Sequence, residues 1–336
     1  MTAVPTVPLL LDVDTGIDDA LALLFAAADP AADLVGVTTC AGNTSLDLVT
    51  RNTIGVLELA GVKDIEVAAG RSQPLCQPLL TTPETHGPEG IGRAVLPEPE
   101  ATVSDRRAAQ LIVETARERP GEITLVALGP LTNVAVAVLT EPELPRLLKR
   151  LLVMGGTFSS SGNTTPVAEW NMTSDPEAAA IVYREFGRNG NPRPLTMGLN
   201  VTERSKILPR HLEELRRRAG DHEIVRFVED SLGFYFDFHE KYDGFRGAYV
   251  HDPFVVGAAL DPSLVETEAR PVAVELGGTM SRGQTVADVR GSWGIAANVD
   301  VATSGEGELF IERLLDRLVS IAGSSPTGTP VNRSGS

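Results

Sequence analysis

The amino-acid sequence predicts the α/β class: a mostly parallel, Rossmann-like central sheet flanked by helices, with the functional site at the carboxyl ends of the strands. Three observations carry the prediction. Short apolar runs alternate with helical patterns up to about residue 200, the rhythm of strands joined by crossover helices. Polar segments containing glycine and asparagine follow several of those runs, where sheets of this kind bind ligands. Between the first strand and the first helix stand Asp12, Asp14, Asp18 and Asp19, four carboxylates within eight residues.

The apolar run at residues 7–11 is the first strand, and Gly16 supplies the backbone freedom to turn from it into a helix over 18–28. A strand at 34–39 and a helix at 46–60 repeat the unit. Strands at 65–68, 123–128, 151–154 and 194–197 follow, with helices at 105–118, 133–139 and 175–186 identified by their apolar spacing. Residues 70–104, rich in proline and glycine, and 157–170, polar in composition, interrupt the rhythm and read as loops around the site. Beyond residue 200, helical spacing recurs at 209–219, 223–242 and 252–260. Alternating apolar residues at 272–276, 285–290 and 295–301 predict antiparallel strands, and 306–320 a closing helix. Residues 1–322 are therefore expected to form one domain with loop insertions, and 323–336, rich in Ser, Pro, Gly and Thr, to be a disordered tail.

Composition narrows the function. The 336 residues are 42% hydrophobic, with no apolar run near the roughly 18 residues of a membrane span. Met1-Thr2-Ala3-Val4-Pro5 lacks the features of an export signal, so cytoplasmic residence is expected. Cys40 and Cys76 are too few for a disulfide scaffold and have no zinc spacing. A net charge of −16 disfavours a nucleic-acid partner, and the one basic run, Arg216-Arg217-Arg218, reads as a solvated helix face.

The acidic cluster needs a positive partner, since like charges this close repel. Asp12 and Asp14 sit two apart at a strand end, and Asp18 and Asp19 fall near a helix start. Oxygen-only ligands suit calcium or magnesium. Helix capping would use one carboxylate and leave three without a role. Around this cluster the strand ends bring Gly42-Asn43, Gly129-Pro130-Leu131-Thr132-Asn133 and Met154-Gly155-Gly156; Asn163, Glu169-Trp170-Asn171 and His251-Asp252-Pro253 add amides, carboxylates and an imidazole.

With these motifs in order, the chain resembles the nucleoside hydrolases of the inosine–uridine-preferring ribohydrolase family. The opening motif of that family, Asp-x-Asp-Pro-Gly-x-Asp-Asp, is matched by Asp12–Asp19 with Thr15 in place of proline. The matches continue through Ala127–Asn133, Ala168–Asn171, Asp175-Pro176-Glu177-Ala178 and His251-Asp252-Pro253, nearly the whole chain. The resemblance implies hydrolysis of the N-glycosidic bond of ribonucleosides. It implies calcium held by Asp14, Asp19, Asp252 and the Leu128 carbonyl, with Asp12 supporting from behind. Asp18, Asn43, Asn163, Glu169 and Asn171 would then bind the ribose hydroxyls or the water, with Met154 packed beside them. Asp14 would take the proton of the attacking water. His251 would protonate the leaving base, and His86, in a glycine-rich flap, would meet the base or the 5′ hydroxyl. Members are commonly homodimers or homotetramers. Trp170 and the stretch Phe234–Phe238 read as core or as base-stacking surface, while Tyr242, Phe245 and Tyr249 are better placed for a base; His211, His222 and His239 read as ordinary helix residues.

Two alternatives compete. Asp12-Val13-Asp14-Thr15 also resembles the first motif of haloacid-dehalogenase-type phosphatases, with Asp12 as the nucleophile. None of Lys63, Lys149, Lys206 and Lys241 stands in the strand-end context that chemistry needs. The other is a ribonucleoside sensor that keeps the fold without turnover.

Overall fold

Leu9, Leu10 and Leu11 are wholly buried, and successive side chains leave the strand on opposite faces, so both faces of the sheet must be covered. The computed structural model describes residues 6–324. Strands β1 (Val7–Val13), β2 (Ala32–Thr39), β3 (Val67–Ala69), β4 (Thr124–Ala127), β5 (Arg150–Met154) and β6 (Leu195–Met197) are joined by parallel pairings. The ribbon β7 (Lys206–Ile207) with β8 (Ala248–Tyr249) is antiparallel, as is β10 (Val272–Val274) with β11 (Thr285–Ala287). Strands β9 (Val265–Arg270) and β12 (Val299–Gly305) extend the main sheet, giving the eight-stranded order β3-β2-β1-β4-β5-β6-β12-β9.

Chain order reverses between β1 and β4, and that switch point opens a crevice beyond the strand ends. The two cores follow the alternation of β1. Leu9, Leu11 and Val13 join the helices Ile17–Ala28, His251–Leu260 and Gly307–Ser324, whereas Leu10 joins Ala108–Glu118, Thr132–Thr140 and Pro176–Phe186. Burying each leucine contributes about 1.5–3 kcal/mol. The helix Ile17–Ala28 is enclosed from Ile17 to Ala26, wedged against His251–Leu260 and Gly307–Ser324. That wedge carries the second half of the chain to the acidic turn.

Three expectations change. The strand expected at 295–301 begins at Val299 and lies in the main sheet, antiparallel as expected, here to β9, and also parallel to β6. β9 went unforeseen: it is an edge strand whose residues 266–269 are exposed, so no apolar face announces it. The closing helix runs to Ser324, so residues 323 and 324 are helical; 325–336, the rest of the expected tail, lie outside the described residues. Segments 70–104 and 157–170 are loops as expected, apart from the short helix Pro83–His86 and the start of Trp170–Ser174. No described helix is long and apolar enough to cross a membrane.

Candidate active site

The turn after β1 is built around Asp19. Its Oδ1 accepts from the Asp14 amide at 3.2 Å and its Oδ2 from the Gly16 amide at 2.8 Å, which closes the turn from strand to helix. Gly16 has φ −95°, open to any residue. What demands glycine there is space rather than backbone freedom: a Cβ would sit 2.6 Å from both Asn43 Nδ2 and His86 Nδ1.

Asp14 stands just past the strand end, with Oδ2 accepting from the Asn43 amide at 2.8 Å. Two motif glycines make room for it. A Cβ on Gly42 would overlap its Oδ2, and one on Gly129 would lie 2.7 Å from its Oδ1. Asp12 lies behind, opposite Thr38 and Ala127 in the parallel register. Its Oδ1 accepts from Thr38 Oγ1 at 2.6 Å and from Asn133 Nδ2 at 2.8 Å, as a supporting residue should. It does not line the cavity, which removes it as a phosphatase nucleophile.

Asp18, Asp19 and Asp252 offer oxygens all within 4.8 Å of one another, and all three are buried. Asp252 arrives from the first turn of the helix His251–Leu260. Burial, followed by mutual repulsion, lifts Asp14 and Asp252 well above the usual carboxylate range and Asp18 to about 8. Asp12, beside them, is raised to about 6, chiefly by burial. Asp19 rises less, because backbone amides donate to it. Packed hard oxygens at such cost could hold a divalent cation, and Asp14 and Leu128 border the same cavity. The sequence placed Asp18 on the sugar; here it belongs to the tightest carboxylate triad, with Asp14 beside it.

The cavity, about 470 Å³, is lined by Asp14, Asp18, Asn43, Leu128 and Met154, by Asn163, Glu169 and Asn171, and by His86, His251 and Asp252. Every expected site residue except Asp19 thus faces one space; Asp19 is its floor. Glu169 caps the helix Trp170–Ser174, accepting from the Asn171 and Met172 amides at 2.8 and 3.1 Å and from the Gly156 amide at 2.9 Å. Burial nevertheless raises it to about 7. Asn171 Nδ2 donates to the Leu128 carbonyl at 2.6 Å and to the Met154 carbonyl at 3.2 Å, tying β4 to β5 at their ends. Asn163 Oδ1 accepts from the Trp170 amide at 3.0 Å, which folds the 157–170 loop over the site.

The two expected histidines are buried and uncharged. His86 Nδ1 accepts from the Ile17 amide at 3.0 Å, anchoring the flap to the start of the first helix and leaving the proton on Nε2. Thr202 Oγ1 lies 2.8 Å from His251 Nδ1. Burial pushes both imidazoles down to about 3. Burial thus opposes a charged imidazole at His251, the residue expected to protonate the leaving base.

Sequence reasoning missed Glu203, His239 and Asp243, which also line the cavity, and left Trp170, Tyr235 and Phe238, now seen to line it, open between core and base-stacking surface. The helix Glu223–Tyr242 presents three of them, and helical spacing alone cannot tell a core face from a cavity face. Tyr242 and Tyr249 line it as expected, whereas Phe245 touches it only through the rings of His239 and Tyr249.

The model of the family described as inosine-uridine preferring nucleoside hydrolase matches residues 9–312. The pyrimidine-specific ribonucleoside hydrolase RihA of Citrobacter koseri is 38% identical over 318 residues, covering 94% of this chain and 99% of that protein. Among solved structures, the plant nucleoside hydrolase PpNRh1 superposes with a TM-score of 0.87 at 32% identity, covering 94% of this chain and 99% of that one. A purine-preferring ribonucleoside hydrolase from Gardnerella vaginalis gives a TM-score of 0.88 at 28% identity, over 95% of this chain and 100% of its own.

Proposed function

Because the chain belongs to the inosine-uridine preferring nucleoside hydrolase family and is a ribonucleoside hydrolase, we propose that it cleaves the N-glycosidic bond with calcium at the acidic turn and Asp14 as the base. The observation that carries the reading is the set of buried carboxylates with no cation of the protein's own among their hydrogen-bond partners. Asp14, Asp19, Asp252 and the Leu128 carbonyl would hold the ion, with Asp18 against it. Bound there, calcium supplies positive charge that orients and acidifies a water and accepts a vicinal diol.

The chain's own groups divide the remaining work. Asp14 Oδ2 is held by the Asn43 amide, so Oδ1 is the oxygen available to take a proton from water. Glu169, Asn163 and Asn171 are fixed by backbone hydrogen bonds and turn toward the sugar hydroxyls, while Met154 packs against the ring. Negative charge around the anomeric carbon favours an oxocarbenium-like transition state. His251, its Nδ1 engaged by Thr202, presents Nε2 to the departing base.

The names of the relatives point both to pyrimidine and to purine ribonucleosides, and a kinetic panel over uridine, cytidine, inosine and adenosine ranks them for this chain. Cytoplasmic residence and a homodimer or homotetramer belong to the same reading. To test the reading, purified protein is stripped with chelator and assayed for free base and reducing sugar before and after calcium is restored. Full turnover in chelator removes the metal, and absence of release from any common ribonucleoside with calcium present favours the sensor alternative.

A further inference from the structure

His239 is buried, 4% exposed, yet its ring borders the active cavity. Its Nδ1 lies 2.6 Å from Asp243 Oδ2. A carboxylate only accepts, so the Nδ1 proton is committed to Asp243. Nε2 then carries a lone pair, and it is buried with no hydrogen-bond partner. Enclosure lowers the affinity of the ring for a second proton and outweighs the opposing pull of Asp243. Nothing in the established reaction uses this atom.

Aromatic rings surround it: Tyr235 with centroids 4.6 Å away, Tyr249 at 5.1 Å and Phe238 at 5.3 Å. Tyr235, Phe238 and Tyr249 line the same cavity. Flat apolar walls suit a planar heterocycle. A buried acceptor without a partner is costly, and no protein group donates to it, so a ligand in the bordering cavity is the remaining source of a donor.

We infer that His239, held in one tautomer by Asp243, is a specificity-determining residue whose Nε2 accepts a hydrogen bond from a ring N–H of the nucleobase, such as N3–H of uracil or N1–H of hypoxanthine. Asp243 is the positioning residue. This rests on the ribonucleoside reading above and adds to it an edge of the base that the site reads. Bases bearing an N–H at that edge are preferred over those with a bare ring nitrogen there.

The test compares uridine with 3-methyluridine, and inosine with 1-methylinosine, on the calcium-loaded parent, His239→Phe and Asp243→Ala. For the parent, methylation lowers kcat/KM by about tenfold or more, the loss of one buried hydrogen bond. In His239→Phe that ratio shrinks toward one. Asp243→Ala, altered at the more exposed partner so that folding is less at risk, reduces it part of the way by freeing the tautomer. An unchanged ratio in both variants, with all three proteins active, overturns the inference while leaving the hydrolase reading intact. So does a loss that follows 5′-deoxyuridine instead of the N-methyl analogue. If the parent releases no base from any substrate, it is the underlying reading that fails.

Discussion

The acidic cluster makes the metal-free protein sensitive to pH, and the sign follows from its shifts. Asp18 is raised from 3.8 to about 8 by burial, then by Asp19. A carboxyl with a folded pKa above its unfolded value stabilises the fold fully below the unfolded pKa, and that stability is lost as pH rises through the folded one. For Asp18 the shift is roughly four units, and at about 1.4 kcal/mol per unit the ceiling is about 5–6 kcal/mol between pH 4 and pH 8. That rivals the whole net stability of a domain, about 5–15 kcal/mol. At about 2 °C per kcal/mol, the chelated protein should lose on the order of 10 °C of Tm between about pH 5 and pH 8. Calcium at a hundred times its Kd restores about 2.7 kcal/mol, roughly 5 °C. At one fixed calcium concentration the gain is larger at pH 8, because at pH 5 protons compete for the same oxygens and raise the Kd. Differential scanning calorimetry with chelator or calcium reads this directly. Asp18→Asn should flatten the slope of the chelated protein. A calcium gain equal at both pH values, or a chelated Tm that stays level, refutes the reasoning.

Further outcomes follow from the same geometry. Asp14→Asn should fold, with metal-free stability near pH 8 at or above the parent since one repelling charge is gone, and lose about 10²–10⁴-fold in kcat; turnover at the parent rate removes Asp14 as base. Gly129→Ala would press a methyl against Asp14 Oδ1, so kcat should fall while circular dichroism stays native; full activity means the carboxylate does not need that position. His251→Ala should slow inosine more than a nitrophenyl riboside with an activated leaving group, and equal losses deny it contact with the base. A 2′-deoxyribonucleoside should lose several orders of magnitude in kcat/KM, because the groups paired to the missing hydroxyl are left buried and unsatisfied; a loss below about tenfold places those groups elsewhere.

The sheet and the acidic turn were legible because each has a local signature. Leu9-Leu10-Leu11 can be buried on both faces only in a covered sheet, and Asp12 to Asp19 cluster within one turn of chain. Gly42 and Gly129 were visible as motif glycines, but only the fold shows that both make way for Asp14. The aromatic wall of the cavity was legible only in part: Tyr242 and Tyr249 were expected there, His239 was not. His239 and Tyr235 lie four apart on one helix face, the same spacing that marks core packing, and which face borders a cavity depends on what packs opposite. Edge strand β9, with no apolar pattern, was hidden for the related reason that burial alone writes periodicity into sequence.

The site sets three histidines against the carboxylates, and burial decides the role of each. His86 gives its Nδ1 to the amide of Ile17 and thereby spends one nitrogen holding the flap to the first helix. His251 spends its Nδ1 on Thr202, and His239 on Asp243. Each ring therefore keeps one nitrogen, Nε2, beyond its anchor. Had these rings been exposed, they would titrate near neutrality and add positive charge beside the metal site, opposing a cation there. Enclosed and neutral, they leave the carboxylates as the dominant field, which favours both a divalent ion and positive charge developing on the sugar. The burial that weakens them as proton reservoirs is thus what lets three imidazoles share a cavity with a cation.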